Sequence, residues 1–362
     1  MLQSIVVYSI MCLVLYYATN NFSVTRQGKE IIFKKHRSYG VGIFLALFVF
    51  AFFSGVRWDV GIDHLTYVDF YQTIARWGDG TIRGDLEEGY VLLMKIFNLF
   101  GFHYAFFMAF IAFCQLGFIY YAFKDEKYII PFLGVCIMCG GDFFGWMNVV
   151  RQSLVTTCFV FLLTHFLVTK RFIPYLLFLI AASFIHKSAL MLLVLYPLTY
   201  LNLETIYINR KIQYLLLIVV WILSMQNVWI NILDIVDKVL VFSSYDRYSA
   251  EFVEEAVKEK NIGGRTILFL VIHIIIIFFS KRLRKEYPTK IYGICYLMFL
   301  VFMIIEPLLM HSRAFSRITT YFMVFRSIIS SYFMFYCYKI NKKYKLVGLF
   351  VLCLFILYIL KL

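Results

Sequence analysis

Apolar residues in this chain fall in long unbroken runs separated by short polar gaps. They show neither the strict alternation of a half-buried strand nor the one-sided stripe of a surface helix. A bilayer core is crossed by about 20 helical residues, and runs of that order lie near residues 2–19, 39–56, 103–123, 128–146, 147–169, 212–231, 266–280, 291–310, 317–338 and 346–361. The stretch 172–201 is interrupted by polar residues between Ser183 and Ser188 and has basic residues on both flanks. That pattern predicts two short helices folded back on each other, with His186 and Lys187 at the outer turn. Residues 89–100 are too short to cross and carry Lys95, which makes them a tilted or interfacial segment. The expected fold class is all-α: a polytopic integral membrane protein of about 12 transmembrane helices, with residues 1–362 forming a single integral domain.

Charge orients this pattern. The chain is 62% hydrophobic and 15% charged, far from the balance of a soluble domain. Its net charge of +14 is concentrated in short gaps around residues 26–37, 124–127, 170–171, 210–211, 281–290 and 339–345. Short basic loops mark the cytoplasmic side, so the excess is read as membrane topology, and nucleic acid is excluded as a partner. The two longest gaps, 57–88 and 232–265, hold seven carboxylates each and are expected to be extracytoplasmic loops. Both termini then lie outside. The first run has no basic leader and no small-residue cleavage site, so it is expected to stay as a helix. The eight Cys sit mostly within apolar runs at irregular spacing, which suits buried neutral thiols and gives no metal site.

With that topology the unusual polar residues gather at the outer surface. The segment SGVRWDVGIDHLTYVDFY places Arg57, Asp59, Asp63, His64, Tyr67 and Asp69 beside the bilayer. Glu88 lies in EEGY, Asn148, Arg151 and Gln152 in MNVVRQS, His186 and Lys187 in FIHKSAL, and His311, Arg313 and Arg317 in MHSRAFSRI. Asn148, Arg151 and Gln152 are spaced to share one helix face. Ionisable groups beside a bilayer need a partner or a substrate to offset their desolvation. Each has a plainer role open to it: Arg57 with Asp59 as an ion pair at a helix end, Arg151 as a lock between helices, His186 as a packed hydrogen-bonding group. Together, several Arg with carboxylates and a His at one face fit an anionic, phosphorylated ligand, because the guanidinium fork matches phosphate oxygens and stays ionised. A nearby His or carboxylate can take a proton from an attacking hydroxyl. Outer aromatics such as Trp58, Tyr67, Tyr71 and Trp77 are candidates for stacking on sugar rings.

At these residues the chain resembles the EpsG-like, Wzy-type polysaccharide polymerase family. The similar pieces are GVRWDVGIDHLTYVDFY, EEGYVLLMKIFN, NVVRQSL, FIHKSALMLLVLYP and SRITTYF, in family order over about residues 50–325. The resemblance implies a GT-C-like lipid-sugar glycosyltransferase in the bacterial cytoplasmic membrane, with its active site on the extracytoplasmic face. It would join oligosaccharide repeat units carried on undecaprenyl diphosphate, as donor and acceptor, among membrane lipids and with a possible chain-length regulator as partner. Carried over by residue, the resemblance covers Arg57, Asp59, Gly61, Asp63, Glu88, Gly89, Arg151, Gln152, His186 and Ser188. Arg57, Arg151, Arg313 and Arg317 would hold the diphosphate with Gln152 and Tyr67 beside them. His186 or Asp63 would be the base, and Asp59 and Glu88 would orient Arg57 or the acceptor sugar. No cofactor or metal is expected, although Asp59 and Asp63 are close enough in sequence to share a cation. The 232–265 loop, which holds SSYDRYSAEF with Asp246 and Arg247 in an expected outer amphipathic helix, is by its composition the expected seat of repeat-unit specificity.

Three other readings compete. A flippase for the same lipid-linked sugar would place charges along a path through the bilayer, for which only Asp142, Glu306 and Arg326 are candidates, and would show paired halves, which the chain lacks. A glycan ligase would share the donor chemistry and differ in acceptor. A membrane acyltransferase would need an entry for an acyl donor that the sequence does not display.

Overall fold

The computed structural model describes residues 2–27, 30–35, 38–58, 60–77, 86–225, 264–309 and 313–360. The apolar helices form at the expected places because their runs are rich in Leu, Phe and Ile and broken by Gly, Pro and charged clusters. In chain order they are α1 Leu2–Thr19, α2 Tyr39–Gly55, α3 His64–Trp77, α4 Glu88–Leu99, α5 Tyr104–Ala122, α6 Ile130–Cys139, α7 Asp142–Asn148, α8 Val150–Leu162, α9 Phe172–Ser183 and α10 Arg210–Met225. After these come α11 Gly264–Glu286, α12 Lys290–Leu309, α13 Arg313–Phe335 and α14 Lys345–Leu360. The class is all-α, with one small exception. Between α1 and α2, β1 Phe22–Gln27 pairs antiparallel with β2 Glu30–Lys35 in the register Phe22↔Lys35. Val, Thr, Ile and Phe in those segments favour a pleated strand, and their interleaved charges keep them out of any membrane-length apolar run.

Among the described residues, five helices are long and apolar enough to cross a membrane: Tyr104–Ala122, Val150–Leu167, Thr266–Glu286, Lys290–Leu309 and Arg317–Ile340. A sixth is the pair Lys127–Cys139 and Asp142–Asn148, bent by 58° at its break, if it counts as one span. Length and composition therefore support five or six crossings and not the expected count of twelve. The remaining apolar helices are shorter, and most of all α9, whose 12 residues rise only about 18 Å against a hydrocarbon core of about 30 Å.

The fold-back expected within 172–201 is present. The Tyr175 hydroxyl donates to the Leu192 carbonyl (2.7 Å) and the Tyr196 hydroxyl to the Lys170 carbonyl (3.0 Å), so α9 and the following segment run antiparallel. That second arm, Lys187–Tyr200, is a 14-residue 3₁₀ helix. At about 2.0 Å per residue it reaches roughly 28 Å, farther than an α-helix of the same length.

At the centre lies α13, which packs on α12, α6 and α8. Buried Phe325, Ile328, Ile329, Tyr332 and Phe333 give it an apolar surface, while buried Ser327, Ser330 and Ser331 keep the backbone approach close. A second, smaller core forms at one end, where α3 and α4 lie on α5 and the start of α8. Tyr67, Val68, Tyr71 and Ile74 are buried while Asp69, Gln72 and Arg76 are exposed, which makes α3 amphipathic. The first part of the expected 57–88 loop is thus a helix. The 89–100 segment is α4, a short helix docked beside α3.

Candidate active site

The site begins with a glycine. Gly89 opens the second position of α4 and its N–H donates to the Phe184 carbonyl at 2.9 Å. A Cβ at Gly89 would lie 2.7 Å from that carbonyl oxygen and 2.7 Å from the Phe184 Cβ, so only glycine lets α4 seat against the turn that follows α9. This contact brings Glu87, in extended backbone just ahead of α4, against His186 and Lys187, just past the turn.

Glu87 is the hub. Its Oε1 lies 2.9 Å from His186 Nδ1 and accepts the Lys187 backbone N–H at 3.3 Å. Its Oε2 accepts from Nη1 of Arg151, in the first turn of α8. Arg151 also hydrogen-bonds the Tyr67 hydroxyl. Burial alone would raise the Glu87 carboxyl, but the His186 hydrogen bond and the Arg151 charge outweigh it and hold the group at about 2. The Glu87 side chain is only 8% exposed, while those of His186 and Arg151 keep 19% and 21% exposure. The carboxylate is therefore enclosed and its two partners reach solvent.

Arg57 lies just past the end of α2 and is 8% exposed. Its Nη2 donates to the Met147 carbonyl at 2.9 Å. Burial pulls its guanidinium down to about 10, against the attraction of the Tyr8, Tyr90 and Tyr67 phenols, so it stays charged near neutrality. Buried Tyr90 and Tyr67, with ring centroids 6.3 Å apart, lie close enough to feel both Arg57 and Arg151. The chain after Arg57 turns at Gly61, whose φ of +104° suits glycine, and the Ile62 N–H donates to Asn148 Oδ1 at 2.7 Å. Beside Arg57, a cavity lined by Ser54, Gln115, Phe143, Trp146 and Met147 opens among α2, α5, α7 and α8.

Several expected residues join this cluster and others do not. Gln152 Nε2 donates to the Arg317 carbonyl, so the first turns of α8 and α13 meet there, and the Arg317 side chain is exposed. Ser188 Oγ lies 2.7 Å from the Tyr321 hydroxyl, tying the turn to α13. Arg313 is the first residue of α13. Asp63 is half-buried, one turn ahead of Tyr67, whose phenol its charge helps to raise after the larger effect of burial. Glu88 is exposed, and the carboxylate that meets Arg151 and His186 is its neighbour Glu87. Asn148 does not share the α8 face with Arg151 and Gln152. Val149, at φ −99° and ψ 57°, breaks the helix, leaving Asn148 at the end of α7. Tyr67 and Tyr71 are buried in the smaller core and cannot stack on a sugar, whereas Trp58 is 66% exposed. His64 packs against the rings of Trp58 and Tyr104. Asp59, His311, Asp246 and Arg247 lie outside the described residues.

Glu87 escapes a reading of the sequence because EEGY offers two adjacent carboxylates. The signal that distinguishes them is the helix start: Glu88 takes the first helical position and faces out, and the residue before it is free to turn inward.

Apolar membrane-length helices, with an enclosed carboxylate bridging an arginine and a histidine, define a helical membrane protein that carries a buried polar cluster. The profile of the EpsG family matches residues 41–362, and the chain belongs to that family, which points to membrane proteins of the polysaccharide-polymerase type. Comparison with curated proteins and with solved structures finds no match.

Proposed function

We propose that this protein polymerises oligosaccharide repeat units carried on undecaprenyl diphosphate, by glycosyl transfer at the outer face of the bacterial cytoplasmic membrane. The observation that carries the proposal is Glu87 bridging His186 and Arg151 where α4, α8 and the turn after α9 converge. A carboxylate on Nδ1 fixes the imidazole tautomer and leaves Nε2 as acceptor, which is the geometry of a general base. In this reading the acceptor sugar hydroxyl attacks the anomeric carbon of the donor. The bond from that carbon to the diphosphate oxygen breaks, the hydroxyl proton passes to His186 Nε2, and the lipid diphosphate leaves. A direct attack inverts the anomeric centre. Arg57, Arg151, Arg313 and Arg317 hold the diphosphate and offset the charge that develops as it departs.

The finer architecture belongs to the same proposal. In this proposal α1, α2, α10 and α14 cross with the longer helices, and α9 with its 3₁₀ arm crosses as a hairpin where the bilayer thins to match the short α9, which completes twelve crossings. Both termini lie outside, in a GT-C-like arrangement, with the basic gaps in the cytoplasm. A chain-length regulator is the partner most in keeping with a polymerase.

Purified protein in nanodiscs, incubated with its lipid-diphosphate-linked repeat unit, should give a ladder spaced by one repeat on a gel. Unchanged substrate from folded protein, with movement of that substrate across a liposome bilayer, would replace the polymerase with a flippase.

A further inference from the structure

A second polar cluster lies two to three turns farther along α13 from Arg317. Arg326 is fully buried, its Nη2 donates to the Gly140 carbonyl at 2.7 Å, and its guanidinium stacks 3.3 Å from the centre of the Phe269 ring. Glu306 of α12 lies 3.8 Å from Nη1. Next along α13, Ser327 Oγ donates to the Cys136 carbonyl at 3.1 Å and also bonds Asp142 Oδ2. Phe269 and Glu306 come from α11 and α12, but the three groups that accept from Arg326 and Ser327, the Cys136 and Gly140 carbonyls and the Asp142 carboxylate, flank one place in the chain, the break between α6 and α7. Gly141 has a φ of +85° there, and a Cβ at Gly140 would come within 2.5 Å of Ser327 Oγ.

The other end of α7 touches the candidate active site. Its seven residues span about 10 Å. Met147 supplies the carbonyl that Arg57 bonds, and Asn148 the oxygen that receives the Ile62 N–H. A buried ionised Arg is expensive inside a membrane and is kept where its donors are used. Here one donor holds a carbonyl at a helix break.

We propose that Arg326 is a positioning residue for the active site. By gripping Gly140, with Ser327 beside it, it fixes the direction in which α7 leaves the break, and α7 sets the placement of Arg57 and the Gly61–Ile62 turn. The role rests on reading Arg57 as part of the site, but its test does not require the polymerase activity.

Hydrogen–deuterium exchange on the full chain in nanodiscs reads the placement directly. In Arg326→Met, exchange at the Ile62 amide should rise about tenfold, the scale of losing one hydrogen bond of roughly 1.4 kcal/mol. The His186 amide, which donates to the Ala182 carbonyl at 3.0 Å in the neighbouring hairpin, should exchange at the wild-type rate. Ser327→Ala, a milder change at the same break, should raise Ile62 exchange several-fold and carries the test if Arg326→Met does not fold. Unchanged Ile62 exchange in a folded variant, or an equal rise at Ile62 and His186, would overturn the proposal.

Discussion

At the scale of single residues, only one glutamate of EEGY is enclosed. The resemblance pointed to Glu88, whereas the structure puts Glu87 against His186 and Arg151. The difference is one position of helix phase, set by the packing of Gly89 on Phe184, a contact between segments about a hundred residues apart that no local pattern encodes. Arg57, Arg151, Gln152 and His186 were legible because a charge or a polar face in an apolar chain stands out. Their partners were not, since backbone carbonyls such as that of Met147 leave no mark in a sequence. Glu87 also gives a pH signature. Its carboxyl is lowered from 4.5 to about 2, so the folded state binds the proton more weakly than the unfolded chain. The stabilisation is present above about 4.5 and is lost as pH falls through 2. Wild type should therefore unfold at a higher temperature than Glu87→Gln at pH 7, with the gap closing between pH 4.5 and 2. A gap unchanged across that window would contradict the ion-pair assignment. Arg151→Lys should fail to restore what Arg151→Ala loses in polymer yield, because one ammonium cannot serve Glu87 and Tyr67 in the same geometry.

At the scale of elements, the membrane-length helices were the most legible part, since twenty apolar residues admit few other fates. The amphipathic α3 was not found, although buried Tyr67, Val68, Tyr71 and Ile74 carry helical spacing, because acidic residues interleave them and the segment reads as a loop. The break between α7 and α8 was expected between 146 and 147 and lies slightly later, at Val149; what the sequence hid is that Asn148 stays on α7, where its Oδ1 accepts the Ile62 N–H, and so leaves the face of Arg151 and Gln152. Contacts between elements give a paired prediction. Gly89→Ala forces a methyl into the Phe184 backbone and should cost about 1–3 kcal/mol, lowering the melting temperature and the polymer yield. Gly117→Ala, in α5 with nothing within 4 Å of the added carbon, should leave both unchanged or raise stability slightly. Equal effects of the two would remove the special place given to the α4 docking contact.

At the scale of the whole molecule, class and family were legible: a helical membrane protein of the EpsG family, matched over residues 41–362. The number of crossings was harder, because α9 and its 3₁₀ arm are short and fold back, and chain length alone does not say whether such a hairpin crosses or dips. The proposed topology has a direct check. In a background with the reactive native cysteines removed, a cysteine at Glu88 should react on intact cells with a membrane-impermeant maleimide, and one at Lys343 only after the cells are opened. The reverse pattern would put the site in the cytoplasm and exclude an extracytoplasmic polymerase.

The central claim, that Glu87 and His186 form the working centre of a glycosyl-transferring polymerase, meets its most direct test in one comparison. Glu87→Gln and Glu88→Gln are purified in nanodiscs and given the same lipid-diphosphate-linked repeat unit. Glu88→Gln should build a ladder at close to the wild-type rate, and Glu87→Gln should slow it by about a hundredfold or more, the scale of a displaced general base. A full-rate ladder from Glu87→Gln, or its loss in Glu88→Gln alone, would contradict the account.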